Sequence, residues 1–196
     1  MTDWTVVVPV KGTPSGKSRL GGDAAARRAL AESIALDTVE AALVVAPVLV
    51  VTSPASAAAF EGLGARVLID PGGGLDAAVA AGVATSSGAV AVLLGDLPAL
   101  APRELADALA LAAPHPLSFV PDADGTGTVL VAGRAGGPLA TAFGAGSRAA
   151  HAALGYAELE LPPASGLRRD VDTVGQLLAL PLDRLGRRTA ALVSAL

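Results

Sequence analysis

Three cations and two glycines stand together near the start of the chain. In PVKGTPSGKSRL, Lys11, Lys17 and Arg19 are interleaved with Gly12 and Gly16, directly after an apolar run. Glycine lets backbone amides approach phosphate oxygens, and the cations offset charge that is costly to desolvate, so this composition predicts a polyphosphate cradle. The competing reading is a solvated basic turn. The stretch GTPSGKS imitates a P-loop but is one residue short. Only Thr13, Pro14 and Ser15 separate Gly12 from Gly16, and the position that would need glycine holds Lys11. A P-loop kinase or ATPase is disfavoured on that spacing.

Carboxylates form the second set. The run AVAVLLGDLPAL ends on Asp96, where a strand's carboxyl end would present the group to Mg²⁺, a hard cation that takes carboxylate, water and phosphate oxygens. A helix-capping or turn aspartate is the alternative. In LRRDVDTVGQL, Asp170 and Asp172 flank Val171. If that piece is extended, both carboxylates share one face and Val171 takes the other. With Asp96 they would form a one-metal or two-metal cluster suited to in-line phosphoryl or nucleotidyl transfer. Asp172 is also placed to cap a following helix.

Small polar residues complete the inventory. TAFGAGSRAAHAAL opens a helix after a glycine turn, with Gly144 and Gly146 allowing close backbone approach and Ser147 and Arg148 at the helix start. Free amides there would favour a phosphate or carboxylate; Ser147 is otherwise a plain N-cap. DADGTGTVLV sets Thr126 and Thr128 around Gly127, a group that would suit a small acceptor. PGGGLDAAVAAG leads through Gly74 into a helix carrying Asp76, a candidate contact to a base or ribose or else an ordinary helix-start residue. His151 reads as a surface histidine or a ligand, and His115, between two prolines, as loop.

These groups need a scaffold that brings them to one edge. Short Val-, Leu- and Ile-rich runs at 4–10, 48–52, 66–69, 89–94, 117–120 and 128–132 predict buried strands. Alanine-rich stretches at 23–42, 54–60, 75–84 and 102–112 predict helices, the last with Pro102 at its first position. Alternation of the two predicts a three-layer α/β/α sandwich, Rossmann-like, around a mostly parallel sheet. Past residue 120 the cluster PDADGTGT predicts a hairpin-like excursion or an antiparallel strand. A helix at 147–154, a short strand near 157–161 and terminal helices from about 174 follow. No repeat or long linker divides the chain, so residues 1–196 are expected to form one domain.

Composition narrows the function. Of the 196 residues 52% are apolar, 16% are charged and the net charge is −4, which removes the basic footprint of a nonspecific nucleic-acid or anionic-membrane binder. Any anion must be held by a local site. No cysteine is present, which excludes disulfides, thiolate metal sites and a cysteine nucleophile and suits a reducing cytosol. The opening MTDWTVVVPVKG lacks a basic n-region, and the longest apolar stretch is broken by Pro47, so no signal peptide or membrane span is expected and the chain is read as cytoplasmic.

PVK with KSRL, then GGGLDAAV, LLGDLPAL, DGTGT, FGAGS and RRDVDT, in that order from Pro9 to Thr173, resemble the guanylyltransferases of deazaflavin coenzyme F-420 biosynthesis, relatives of the molybdopterin nucleotidyltransferases. The resemblance implies a nucleotidyltransferase fold and transfer of GMP from GTP to a phosphorylated three-carbon acid, phosphoenolpyruvate or 2-phospho-L-lactate, with release of pyrophosphate. It implies that Lys11, Lys17 and Arg19 hold the triphosphate, Asp96, Asp170 and Asp172 hold Mg²⁺, and Thr128, Gly144 and Ser147 hold the acceptor. One departure is visible: where the family commonly carries asparagine after Gly-Leu, this chain has Asp76, a group that accepts hydrogen bonds but cannot donate them. Guanine offers donors that suit it. The alanine-rich, lysine-poor composition hints at a high-GC bacterial source and so at phosphoenolpyruvate. The rival readings are a molybdopterin or sugar-phosphate nucleotidyltransferase of the same fold and a noncatalytic GTP sensor. An unstable product would call for a downstream transferase, and no oligomeric state follows from these residues.

Overall fold

A computed structural model describes residues 3–10, 24–134 and 139–194. Seven strands, β1 (Trp4–Pro9), β2 (Val48–Thr52), β3 (Arg66–Ile69), β4 (Ala89–Leu93), β5 (Leu117–Pro121), β6 (Thr128–Gly133) and β7 (Ala157–Glu158), form one sheet in the order β3-β2-β1-β4-β6-β5-β7. β3, β2, β1 and β4 run parallel, with Val7 opposite both Leu49 and Val92. β6 is antiparallel to both of its neighbours, β4 and β5, and β7 lies parallel to β5. Parallel neighbours cannot be joined by a tight turn, and the crossovers are α1 (Ala24–Leu43), α2 (Pro54–Glu61) and α3 (Leu75–Ala84). α4 (Pro102–Ala112) follows β4, and α5 (Ser147–Ala153), α6 (Val174–Leu178) and α7 (Arg187–Val193) complete the order.

Alternation along the strands divides the apolar residues between two faces. Val6, Val8, Val48, Val50, Ala91, Leu93, Leu130 and Ala132 join the larger core with residues of α1 and α4. Val7, Leu49, Val51, Val90 and Val92 pack with Ala78 and Val79 of α3, and Phe119 and Val131 pack with Tyr156 on the same side. Both faces are covered, so the three layers and the mostly parallel sheet are as the sequence predicts. Gly82 lets α3 lie against β1, where an added Cβ would press on Val7 and Val51. A third cluster, Leu30, Ile34, Ala99, Val171, Leu177 and Leu185, fastens the C-terminal segment to α1. No helix among the described residues is long and apolar enough to cross a membrane.

Candidate active site at the carboxyl edge of the sheet

The parallel strands β1, β2, β3 and β4 all end on one edge, and the reversed β6 begins there. Leu94 N–H donates to the Val129 carbonyl, which carries the pairing past the end of β4 and brings the start of β6 beside the segment Gly95-Asp96. Gly95 packs against Val8 and Val10, where a Cβ would crowd both, so the chains leaving β1 and β4 run close together. Lys11, Gly12, Lys17 and Arg19 follow β1 and lie outside the described residues.

Asp96 is half-buried, and its carbonyl accepts the Val171 N–H at 3.0 Å. That bond delivers Asp170 to the same place. Burial first, and then the charges of Asp96 and Asp122, push the Asp170 carboxyl up to about 7; Asp172 contributes less. Val171, between them, is buried in the C-terminal cluster, Asp170 is half-buried and Asp172 is exposed. The structure thus brings Asp170 and Asp96 together, with Asp122 as a neighbour that the sequence reading did not single out. Among the described residues no group of three or more acidic or histidine side chains is assembled as a ready metal-ligand set. Neither alternative capping role applies: Ala101 precedes α4, and Thr173, whose Oγ1 accepts the Gln176 N–H at 3.2 Å, caps α6.

Segment 165–172 is held in place by its own anchors. Glu104 accepts the N–H groups of Ala101 and Gly166, at 3.0 and 2.9 Å, tying the start of α4 to the segment. Gly166 sits so close to the Ala99 carbonyl that any side chain there would overlap it. Arg168 donates to the carbonyls of Pro121 and Asp122 at 3.2 and 2.9 Å, and its own carbonyl accepts the Ala123 N–H at 2.7 Å. The end of β5 and the carboxylate-bearing segment are therefore one fastened unit.

Asp122 also builds the turn that precedes β6. Its two carboxylate oxygens accept the Thr126 and Gly127 N–H groups at 2.9 and 2.7 Å, and a Cβ on Gly127 would run into that carboxylate. Thr128, buried at the start of β6, lies 3.0 Å from Nδ1 of His151, whose Nε2 accepts the Ala142 N–H at 3.0 Å. His151 is fully buried, packed by the rings of Phe119, Phe143 and Tyr156, so the surface reading of this residue is corrected. Burial holds its pKa below the ordinary 6.5. A histidine amid alanines carries little sequence signal of burial; Phe143, in the irregular segment ahead of α5, is the one hint.

The start of α5 differs in detail from the expectation. Gly146, at φ 73°, is the N-cap, and Ser147 is the first helical residue and buried. The Ser147 N–H donates to the Gly144 carbonyl and the Arg148 N–H to the Thr126 carbonyl, so these two amides serve the turn. Arg148 forms a two-pronged pair with Glu158 at 2.9 and 2.7 Å and donates to the Gly125 carbonyl. Gly144 is exposed at φ 125°, beside Ser147. At the other end of the edge, Gly74 (φ 96°) precedes α3, with Asp76 exposed in its first turn.

Residues 16–161 match the model of the MobA-like NTP transferase domain family. The chain is 48% identical to a phosphoenolpyruvate guanylyltransferase of Thermomonospora curvata, over 97% of this chain and 89% of that protein. It is 50% identical to one of Salinispora arenicola, over 96% and 92%. Among solved structures, a putative nucleotide-diphospho-sugar transferase from Desulfovibrio desulfuricans G20 superposes with a TM-score of 0.69 at 16% identity, over 100% of this chain and 95% of that one, which shows a shared fold. A carboxylate pair beside the exit of β1, on an edge completed by a reversed strand, is thus set in a chain that belongs to the MobA-like NTP transferase family, alongside its phosphoenolpyruvate guanylyltransferases.

Proposed function

We propose that the protein transfers GMP from GTP to phosphoenolpyruvate and releases pyrophosphate. The observation that carries this reading is Asp170 held beside Asp96 at the edge where β1 and β4 end and β6 presents Thr128. Lys11, Lys17 and Arg19, with the Gly12 amide, take the triphosphate, and Gly74 and Asp76 face the guanine or its ribose. Thr128, Gly144 and Ser147 take the acid. An oxygen of the acceptor's phosphate attacks the α-phosphorus in line; the new phosphoanhydride bond forms as the α–β bond breaks and pyrophosphate leaves with the electron pair. The attacking phosphate is already ionised, so no general base is required, and no group on the enzyme is covalently modified. The protein's own contribution is alignment and charge compensation.

Two crowded carboxylates, one of them raised because it is buried beside the other, fit a divalent cation, which relieves their repulsion. Asp96 and Asp170, with Asp172 alongside, would hold Mg²⁺, which when bound neutralises charge on the α-phosphate and the leaving pyrophosphate. The test is pyrophosphate release by purified protein with GTP and Mg²⁺, offering phosphoenolpyruvate and 2-phospho-L-lactate separately, with and without chelator. Release with phosphoenolpyruvate, lost on chelation and in Asp96→Ala while GTP binding persists, is expected. GTP binding with no release for either acid would make the protein a sensor, and release only with a sugar phosphate or a molybdopterin would move it to another branch of the family. The expected product is labile, which places a second transferase next in sequence, as in deazaflavin coenzyme F-420 assembly.

A further inference from the structure

We propose that His151 is a positioning residue for the acid acceptor: protonated on Nδ1 alone, it tethers segment 139–143 to β6 and leaves the Thr128 hydroxyl proton for an anionic group. The inference rests on the reading that Thr128 faces the acceptor. It follows from counting protons. The Ala142 N–H can only donate, so Nε2, 3.0 Å away, must present its lone pair. The single proton of the neutral ring is then on Nδ1, which lies 3.0 Å from Thr128 Oγ1. Thr128 Oγ1 is therefore an acceptor toward the histidine, and its own proton is directed elsewhere. Amide to ring, ring to hydroxyl, hydroxyl to ligand: every donor points the same way, and the group that suits the end of such a series is a carboxylate or phosphate oxygen.

The ring has little freedom to choose otherwise. It is fully buried, with the rings of Phe119, Phe143 and Tyr156 at 5.8, 5.4 and 5.5 Å between centroids. Tyr156 adds a second tether, its hydroxyl donating to the Ala140 carbonyl at 2.6 Å. A proton on Nε2 would face the Ala142 N–H with another donor and release the segment that leads to Gly144 and Ser147.

Two substitutions separate the ring's two ends. His151→Gln sets an amide oxygen near the place of Nε2 and keeps the tether, but removes the donor toward Thr128. His151→Asn keeps an amide near Nδ1 and removes the tether. With pyrophosphate release measured while GTP and phosphoenolpyruvate are varied in turn, each variant is expected to raise KM for phosphoenolpyruvate about tenfold, with KM for GTP within about twofold, the effect of one lost charge-assisted hydrogen bond. Thr128→Val is expected to do the same, and His151→Gln/Thr128→Val no more than either. Equal shifts in both KM values, or additive effects in the double variant, would overturn the proposal. Should the variants not fold, long-range ¹H–¹⁵N spectra of the wild-type histidines decide, with His115→Gln assigning the signals: a bare Nε2 and protonated Nδ1 on His151 support the proposal, and the opposite tautomer or an imidazolium at neutral pH refutes it. If wild type releases no pyrophosphate with any acid, the functional reading fails while the spectra still judge the tautomer.

Discussion

Replacing Asp122 with asparagine changes one atom and isolates what this carboxylate does. Both of its oxygens are used, one on the Thr126 N–H and one on the Gly127 N–H, and the residue is only 8% exposed. An asparagine can accept at one of these positions, but its NH₂ must then face a backbone N–H at the other. Losing a hydrogen bond to a charged acceptor at a buried site costs about 1.5–3 kcal/mol. Removing a negative charge that acts on Asp170 returns about 1 kcal/mol of repulsion. The net loss is roughly 0.5–2 kcal/mol, which in a chain of this size lowers Tm by roughly 1–8 °C. The turn it closes leads into Thr128, so KM for phosphoenolpyruvate should rise while KM for GTP holds. Asp124→Asn, in the same turn but exposed, is the control and should leave both quantities unchanged. A Tm for Asp122→Asn within about 1 °C of wild type, or an equal fall in the control, would refute the assignment of Asp122 as the closure of this turn.

Gly166→Ala would place a Cβ on the Ala99 carbonyl, and backbone must move to admit it, so a loss of about 3 kcal/mol in urea unfolding is expected together with a fall in kcat as Asp170 shifts. Arg188→Ala leaves Asp37, whose side chain is 2% exposed, without its guanidinium, and chemical denaturation should show a loss of about 3 kcal/mol; Arg187→Ala, on a side chain 72% exposed, should change stability by less than about 0.5 kcal/mol. His151 binds a proton less readily folded than unfolded, so its contribution to stability is complete above the ordinary 6.5 and is lost as pH falls from there toward the folded value. Denaturation midpoints taken across that window should fall with pH, with a slope of at most about 1.4 kcal/mol per pH unit, and the slope should flatten in His151→Gln.

Much of this architecture was legible because most strands are short apolar runs rich in valine and leucine, and the helices between the early ones are alanine-rich stretches. The helix expected over 75–84 is α3, Leu75–Ala84, and that over 102–112 is α4, beginning at Pro102, where a missing N–H costs nothing. Val171 is buried between two carboxylates, as alternation requires. Other features depend on who meets whom in space. Asp122 reads as a turn residue in PDADGTG, and nothing local announces that its carboxylate both closes the turn and faces Asp170. His151 sits in an alanine helix, and its burial is decided by Phe119, Phe143 and Tyr156 arriving from three other segments. The capping role open to Asp172 goes to its neighbour Thr173, because Thr173 Oγ1 reaches the Gln176 N–H and Gln176 Oε1 returns to the Thr173 N–H.

The reversal of β6 is what lets these separate features form one site. In an all-parallel sheet only strand ends meet at the carboxyl edge, and every residue there has a strand behind it and a crossover ahead. Running β6 antiparallel puts a strand beginning at that edge, so Thr128 stands next to the end of β4, with Leu93 opposite Leu130. The tight connection from β5 then has to be made at the same edge, and Asp122 makes it. Because β5 ends where that turn begins, Arg168 can clamp the carbonyls of Pro121 and Asp122 and deliver Asp170 to Asp96. A parallel β6 would need a helical crossover between residues 121 and 128, which the chain is too short to make, and it would carry Thr128 to the opposite edge of the sheet. The acceptor side and the carboxylate pair are therefore consequences of one topological choice, signalled in the sequence by a glycine-rich turn too short for anything else.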